Sequence, residues 1–393
     1  MMDAGSTVPA PKRILVVGAG LSGAVVAREL ADAGHHVTVQ DERRHIAGNC
    51  HTEVDPRTGI LVHAYGPHIF HTDDAAVWAY VTRFADMVPF RHRVKAVAGG
   101  RVYSLPINLH TINQLYGRAM TPCEARHFIR SQAIAGDDAP VSFEEQALRF
   151  VGPRIYETFL RGYTRKQWGV EPSDLPASIL KRLPLRFDYD DRYFDHRHQA
   201  MPRHGYTEMV ARILDAPRIE LRLNAPFDGR PGPEFDHLVY TGPLDRYFGQ
   251  DLGPLGYRTL EFERFEVEGD AQGTAVVNFC DEEVPYTRVT EHRHFSPWGE
   301  TPPERSVCFR EYSHAARPGD IPYYPLRLLG DRKLLSHYRA RAEAEEGVTF
   351  VGRLGTYAYL DMDKAIARAL ETAGALNAAW AREAEAPAFV HAP

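Results

Sequence analysis

The stretch YGPHIFHT, Tyr65 to Thr72, sets His68 and His71 three residues apart behind a Gly-Pro turn, with an aromatic between them. Two imidazoles at that spacing could ligate a metal, work as an acid–base pair, or pack beside a bound group. A zinc site needs three or four ligands. No third or fourth can be nominated at a sensible spacing, so no metal is expected. A second set of residues carries different chemistry. Arg161-Gly-Tyr163-Thr-Arg-Lys-Gln-Trp168-Gly169, Leu175 to Pro184 and Asp191-Arg-Tyr193-Phe194-Asp195 interleave aromatics with arginines near Gly and Pro. Such residues make a poor core. They suit an aromatic base stacked on a ring and a diphosphate gripped by guanidinium groups; the plain alternative is a solvated surface loop. Tyr286-Thr287-Arg288, the pair Tyr323-Tyr324 between prolines, and Gly355 to Asp363 add candidates of the same type.

The elements that must position these residues begin with KRILVVGAGLSGAVVARELADAGHHVTVQD. Ile14 to Val17 reads as a buried parallel strand, running into Gly18-Ala19-Gly20-Leu21-Ser22-Gly23 and then a helical pattern through Val25, Val26 and Leu30, stopped by Gly34. His36 to Gln40 alternates as a second strand and ends at Asp41. The glycines have separate tasks: a tight turn, close approach of backbone N–H to a pyrophosphate, and close strand–helix packing. The helix N-terminus receives the anion, and Asp41, 18 residues past Gly23, accepts from ribose hydroxyls. These residues point to a dinucleotide and leave NAD and FAD both open. Glu42 to Asn49 follows directly, and a basic segment before a Gly-containing turn resembles the flavoprotein pattern. Ala47 stands where that pattern often carries a glycine.

Composition bounds the rest. The 393 residues suggest two or three domains. With 44% hydrophobic and 25% charged residues and a net charge of −6, the chain reads as a globular protein without a general nucleic-acid surface. Cys50, Cys123, Cys280 and Cys308 are scattered with no CxxC pair, as expected of free thiols in a reducing compartment. No run approaches the roughly 20 apolar residues of a membrane span, and the first eleven residues read as a disordered lead-in. A cytoplasmic location is expected.

From Leu105 to about Leu180 the pattern is helical, with capping boxes at Thr121–Glu124 and Ser142–Glu145. Pro153 should kink or restart its helix. Between 255 and 310 short strands alternate as an antiparallel sheet does, and the switch from Leu260 and Phe262 to Phe265 and Val267 suggests a bulge. His237–Gly242 and Phe350–Gly355 read as strands returning to the dinucleotide domain. The fold class is α/β: a Rossmann-like domain (12–84, 204–250 and 326–393), a helical insertion (107–180), and an antiparallel β-sheet domain (85–106, 181–203 and 251–325).

GYTRKQWG, PASILKRLP, DDRYF, YTR, PYYP, GRLGTYAYLDMD and YGPHIFHT together resemble the bacterial UDP-galactopyranose mutase family, over roughly residues 12–375. The resemblance implies a reaction with no net redox change that nonetheless needs reduced FAD. By that resemblance flavin N5 would attack the anomeric carbon of UDP-galactopyranose and UDP would leave. The N5–galactose adduct would open and reclose as the five-membered ring, and UDP would return to give UDP-galactofuranose. It implies that Arg182 and Arg288 grip the diphosphate from opposite sides, with Tyr193, Tyr324 and Tyr359 donating hydroxyls and Phe194 beside them. Phe159 and Tyr163 would hold uracil and Trp168 would close over it, Arg182 lying on a mobile loop. His68 and His71 would lie against the flavin and sugar, His71 stabilising the reduced flavin's negative charge; His92 would be a polar group on the substrate side. For FAD, the resemblance assigns Gly18, Gly20, Leu21, Ser22, Gly23, Asp41, Arg43, Gly48 and Asn49. To these it adds Arg353 at the pyrophosphate, Asp361 near the ribityl chain, and Tyr359 and Met362. It implies an electron donor such as NAD(P)H or a reductase, and a homo-oligomer, a dimer or larger; neither nucleic acid nor a membrane is expected as a partner. Two rival readings share the dinucleotide domain: a flavin oxidoreductase of the amine-oxidase type, and a non-catalytic nucleotide-sugar-binding flavoprotein.

Overall fold

The computed structural model describes residues 10–136, 138–182, 185–298, 304–326 and 331–392, with the side chains of Ser178, Lys181, Arg182 and Asp331 outside that description. A five-stranded, wholly parallel sheet carries the Gly-rich turn. Its order is Ile219–Arg222, His36–Gln40, Arg13–Val17, His237–Tyr240, Val348–Phe350. Parallel strands need both faces covered, and alternation in Arg13–Val17 supplies both. Ile14 and Val16 face a core with Val25, Val26, Leu30, Ile213 and Leu376. Leu15 faces another with Leu238, Phe350 and Tyr338. The first core is built by the helices Leu21–Asp32, Gly205–Leu214 and Met362–Trp380. Gly34, at φ +101°, turns the chain out of its helix into the second strand.

The second sheet has seven strands, in the order Tyr324–Pro325, Tyr257–Glu268, Arg305–Ala315, Arg288–Glu291, Val276–Phe279, Val94–Ala98, Arg101–Leu105. One pair, Val276–Phe279 with Val94–Ala98, is parallel; the others are antiparallel. The expected bulge near Phe265 is absent, for Tyr257–Glu268 pairs with Arg305–Ala315 in unbroken register from Arg258↔Ala315 to Glu268↔Arg305. The apolar pattern changes phase because both faces of the strand are partly covered. Phe262 packs on Phe309, Val307, Ile60 and Val62, whereas Phe265 on the opposite face lies under the Arg310 guanidinium.

The helical region comprises Leu109–Tyr116, Pro122–Gln132 and Phe143–Ile155, continued by a π-helical stretch Tyr156–Arg161 into Gly162–Trp168. Thr121 and Glu124 form the full capping box. At Ser142 half of the expected box is made: its hydroxyl accepts from Glu145 N, but the Glu145 carboxylate accepts from Val141 N instead. The kink anticipated at Pro153 is placed at Gly152, whose φ of 76° breaks the helix and lets Pro153 begin the next turn. All four cysteines carry free thiols. Among the described residues no helix is long and apolar enough to cross a membrane.

Candidate functional site

Where the strand Arg13–Val17 ends, Gly18 N donates to Gln40 O at 2.8 Å and the chain turns into the helix that starts at Leu21. Gly20 caps that helix with no side chain, so the first-turn N–H groups are open toward an anion. A Cβ on Gly23 would lie 1.9 Å from the Gly18 carbonyl, and one on Gly48 would lie 3.2 Å from Gly20 Cα. The two turns therefore approach as bare backbone, the surface a pyrophosphate needs. Ala47 takes the left-handed conformation (φ 71°) and donates its N–H to Ala19 O at 2.9 Å, so its methyl group does not prevent the approach. Asp41 is buried and braces this turn, Oδ2 accepting from Ala19 N at 2.7 Å and Oδ1 from Arg43 N at 2.8 Å. Arg43 donates Nη2 to Asn49 Oδ1 at 3.0 Å and lies over the Tyr65 ring. Its Nη1 is buried with no hydrogen-bond partner, a vacancy that fits a phosphate oxygen. Gly352, just before Arg353, packs on Ser22. The Arg353 guanidinium donates to the Tyr323 and Leu360 carbonyls and lies over the rings of Tyr324 and Tyr359.

Two cavities adjoin one another, and the first of them reaches Arg353. One, about 190 Å³, is lined by His68, His71, His92, Phe194, Arg353, Asp361 and Met362. The other, about 210 Å³, is mainly apolar and is lined by Phe159, Trp168, Gln167, Ile107 and Leu180 among others. Six residues line both: Tyr163, Tyr193, Asn278, Arg288, Tyr324 and Tyr359. They form the neck between the chambers and come from five places in the fold. Tyr163 is on the helix Gly162–Trp168 and Tyr193 on the loop before His198–Pro202. Asn278 and Arg288 face each other across a hairpin, Tyr324 starts an edge strand, and Tyr359 precedes the last helix.

Arg288 Nε lies 3.1 Å from Oε1 of the buried Glu311, an ion pair whose angle falls short of a hydrogen bond. Burial works against the Arg288 charge, but Glu311 and the surrounding phenols hold it above the ordinary arginine range. Burial likewise raises Glu311, against the pull of Arg288. Burial raises the phenols of Tyr163, Tyr193 and Tyr324 too, so they stay protonated and act as donors. The histidines are neutral. Burial pushes His92 down to about 3 and His68 to about 4, with Arg288 and Arg353 respectively adding to the effect. His68 donates Nδ1–H to Gly66 O at 2.9 Å. His71 is lowered by burial, stacks on Phe194 at 3.7 Å, and shares a proton between its Nδ1 and that of His196 at 3.1 Å.

The two cavities gather His68, His71, His92, Phe159, Tyr163, Trp168, Tyr193, Phe194, Arg288, Tyr324, Arg353, Tyr359, Asp361 and Met362, while Gly18, Gly20, Gly23, Asp41, Arg43, Gly48 and Asn49 gather at the turn and the Leu21 side chain lies in the core. Arg182 closes a short turn, Ala177–Arg182, and its side chain lies outside the described residues. Three further residues at the site, Asn278, Glu311 and Arg258, carry no signal in the sequence. Asn278 Oδ1 is buried at the neck without a partner. The buried Arg258 donates to the Gln167 and Lys166 carbonyls, holding the C-terminal end of the helix that carries Trp168. Among the described residues, Asp270, Glu291 and His294 have potential ligand atoms within 4.8 Å of one another. Neither His68 nor His71 belongs to that group, and its carboxylates already accept from the amides of Ala271, Gln272 and Gly273.

The bare-backbone turn between strand and helix defines a dinucleotide-binding protein, and residues 16–84 match the NAD(P)-binding Rossmann-like domain. Residues 158–359 match the UDP-galactopyranose mutase family model. A probable UDP-galactopyranose mutase of Klebsiella pneumoniae is 53% identical over 96% of this chain and 98% of its own. A dTDP-fucopyranose mutase of Escherichia coli is 48% identical over 92% and 97%. The chain belongs to the UDP-galactopyranose mutase family. In fold it resembles a reduced UDP-galactopyranose mutase crystal structure, with a TM-score of 0.70 at 16% identity over 92% of this chain and 94% of that one. A putrescine oxidase is more distant, with a TM-score of 0.55 at 13% identity over 93% and 98%.

Proposed function

We propose that this chain interconverts UDP-galactopyranose and UDP-galactofuranose with FAD in its reduced form. The observation that carries the reading is the neck: one half-buried arginine and four tyrosines between an apolar aromatic chamber and a polar one that reaches Arg353. That order suits base, diphosphate and sugar in line. FAD would rest on the Gly18–Gly23 turn, Gly48, Asn49 and Arg43, and reduced flavin supplies an electron-rich nitrogen nucleophile for the anomeric carbon. Arg288 holds the diphosphate through departure and return of the leaving group, and Arg182 is proposed, on the family's motif alone, to serve the same diphosphate. Tyr193, Tyr324 and Tyr359 donate to the same oxygens. Phe159, Tyr163 and Trp168 enclose the base, and Asn278, with His92, reads hydroxyls near the neck. His71 offers Nε2, its Nδ1 being engaged by His196, and steadies negative charge on the reduced cofactor. NAD(P)H or a reductase would deliver the electrons, and the protein would act in the cytoplasm as a homo-oligomer.

The Escherichia coli relative, named for dTDP-fucopyranose, supplies the competing substrate. Chromatography of UDP-galactofuranose and dTDP-fucofuranose after incubation with dithionite-reduced protein tests the reading. The expected result is conversion of UDP-galactofuranose, with the higher kcat/KM of the two and none without reduction. Conversion of the dTDP-sugar alone would refute the substrate, and binding without conversion would leave a nucleotide-sugar-binding flavoprotein.

A further inference from the structure

Lys166 lines neither chamber, yet its ammonium is the meeting point of a hairpin that lines both. Nζ donates to the carbonyl oxygens of Phe279 at 2.7 Å, Asp281 at 2.8 Å, Val284 at 3.0 Å and Tyr286 at 3.1 Å. These oxygens span the loop that joins Val276–Phe279 to Arg288–Glu291, the two strands that place Asn278 opposite Arg288. An ammonium has three N–H donors, so four inward-turned carbonyls make a coordination shell of the kind that strips water from a potassium ion.

The helix Gly162–Trp168 divides its residues between two tasks. Gly162, Arg165 and Lys166 share one face by their spacing of three and four, and that face meets the loop. A Cβ on Gly162 would lie 2.4 Å from Cys280 O, and Arg165 pairs with Glu282 at 2.6 Å. Tyr163, Thr164, Gln167 and Trp168 line the apolar chamber. Asp281 is engaged by Gly99 N at 3.0 Å; with Glu282 held by Arg165, these two loop carboxylates are committed elsewhere.

We infer that Lys166 is a positioning residue, a built-in cation whose carbonyl shell locks the Asn278–Arg288 hairpin to the helix bearing Tyr163 and Trp168. Base-holding and diphosphate-holding groups then keep one spacing while a substrate spans them. A displacement of about 1 Å at such a site costs on the order of a hundredfold in rate.

The test rests on the mutase reading for its turnover arm and on UDP binding for an arm independent of it. K166A empties the shell, and K166M fills it with an apolar stem of similar length. Both variants are expected to purify with wild-type flavin content, as nothing near the dinucleotide turn changes. Both should lose about a hundredfold in kcat/KM and bind UDP more weakly by tryptophan fluorescence. Ammonium or potassium chloride should restore much of the loss in K166A and none in K166M, while choline chloride, too large for the shell, restores neither. Wild-type UDP affinity and kcat/KM in K166M would overturn the inference. So would a loss in K166A that ammonium and potassium leave untouched. Wild-type protein that binds UDP without turnover would refute the mutase reading and leave the UDP-affinity arm to decide on Lys166.

Discussion

Replacing Arg288 by alanine should separate substrate binding from cofactor binding. Arg288 lines both chambers and its charge is partly balanced by Glu311 at 3.1 Å. If it supplies two charged hydrogen bonds to a diphosphate, at about 1.5–3 kcal/mol each, their loss removes about 3–6 kcal/mol of transition-state binding. That corresponds to a fall of between about a hundredfold and about ten-thousandfold in kcat/KM. The residues facing the dinucleotide turn are untouched, so flavin content should not change. Stability is a second, separable effect. Breaking a buried pair costs about 3–5 kcal/mol when a charge is stranded, but Glu311 can escape by taking a proton, which its raised pKa favours. The double variant Arg288→Ala, Glu311→Gln should therefore regain most of the lost melting temperature and none of the turnover. The assay is steady-state conversion of UDP-galactofuranose by reduced protein, with flavin absorbance and thermal melts alongside. A kcat/KM for Arg288→Ala within tenfold of wild type would remove Arg288 from the diphosphate.

Gly48→Val puts a branched side chain 3.2 Å or less from Gly20 Cα at a φ of 52°, and the purified variant should lack the visible flavin spectrum; a yellow protein would place the cofactor elsewhere. Trp168→Ala removes an aromatic wall of the apolar chamber. If it packs on a base, worth about 1–3 kcal/mol, UDP affinity falls roughly 5- to 150-fold; unchanged affinity would remove Trp168 from the site. For pH, burial holds both His92 and His292 down at about 3, against about 6.5 in an unfolded chain. The unfolded state thus binds more protons below pH about 6.5, and folding stability falls as pH drops through that window. At pH about 4.5 each histidine should have cost about 2–3 kcal/mol, Glu311 offsetting part of this by taking up a proton on folding. Asp55, lowered to about 2, keeps its contribution until pH falls below about 3.9. Urea unfolding at successive pH values checks this, and a flat profile from about pH 7 to about 4.5 would contradict it.

Local chemistry was legible in the chain, and pairing across strands was not. The Gly18–Gly23 turn could be read because its strand, turn and helix are contiguous, and the kink by Pro153 because proline acts on its own neighbours. Asn278 and Glu311 escaped because their place beside Arg288 arises from register: Arg288 pairs with Asn278 on one side and Glu311 on the other. Nothing within any one of those segments signals that alignment. Lys166 stood inside the motif GYTRKQWG, but its carbonyl partners lie more than a hundred residues on. The bulge assigned near Phe265 failed for a related reason. A phase change in apolar residues imitates a break in pairing, whereas Phe262 and Phe265 are covered on opposite faces of one continuous strand.

A UDP-sugar that rearranges on this site without consuming electrons must leave the flavin reduced. The direct measurement is product formed per flavin under anaerobic conditions, after a single reduction and removal of excess dithionite, with the flavin spectrum followed throughout. Many equivalents of UDP-galactopyranose from UDP-galactofuranose, with the flavin still reduced at the end, is the predicted result. One equivalent or less, with the flavin oxidised in step, would contradict the account and point to an oxidoreductase.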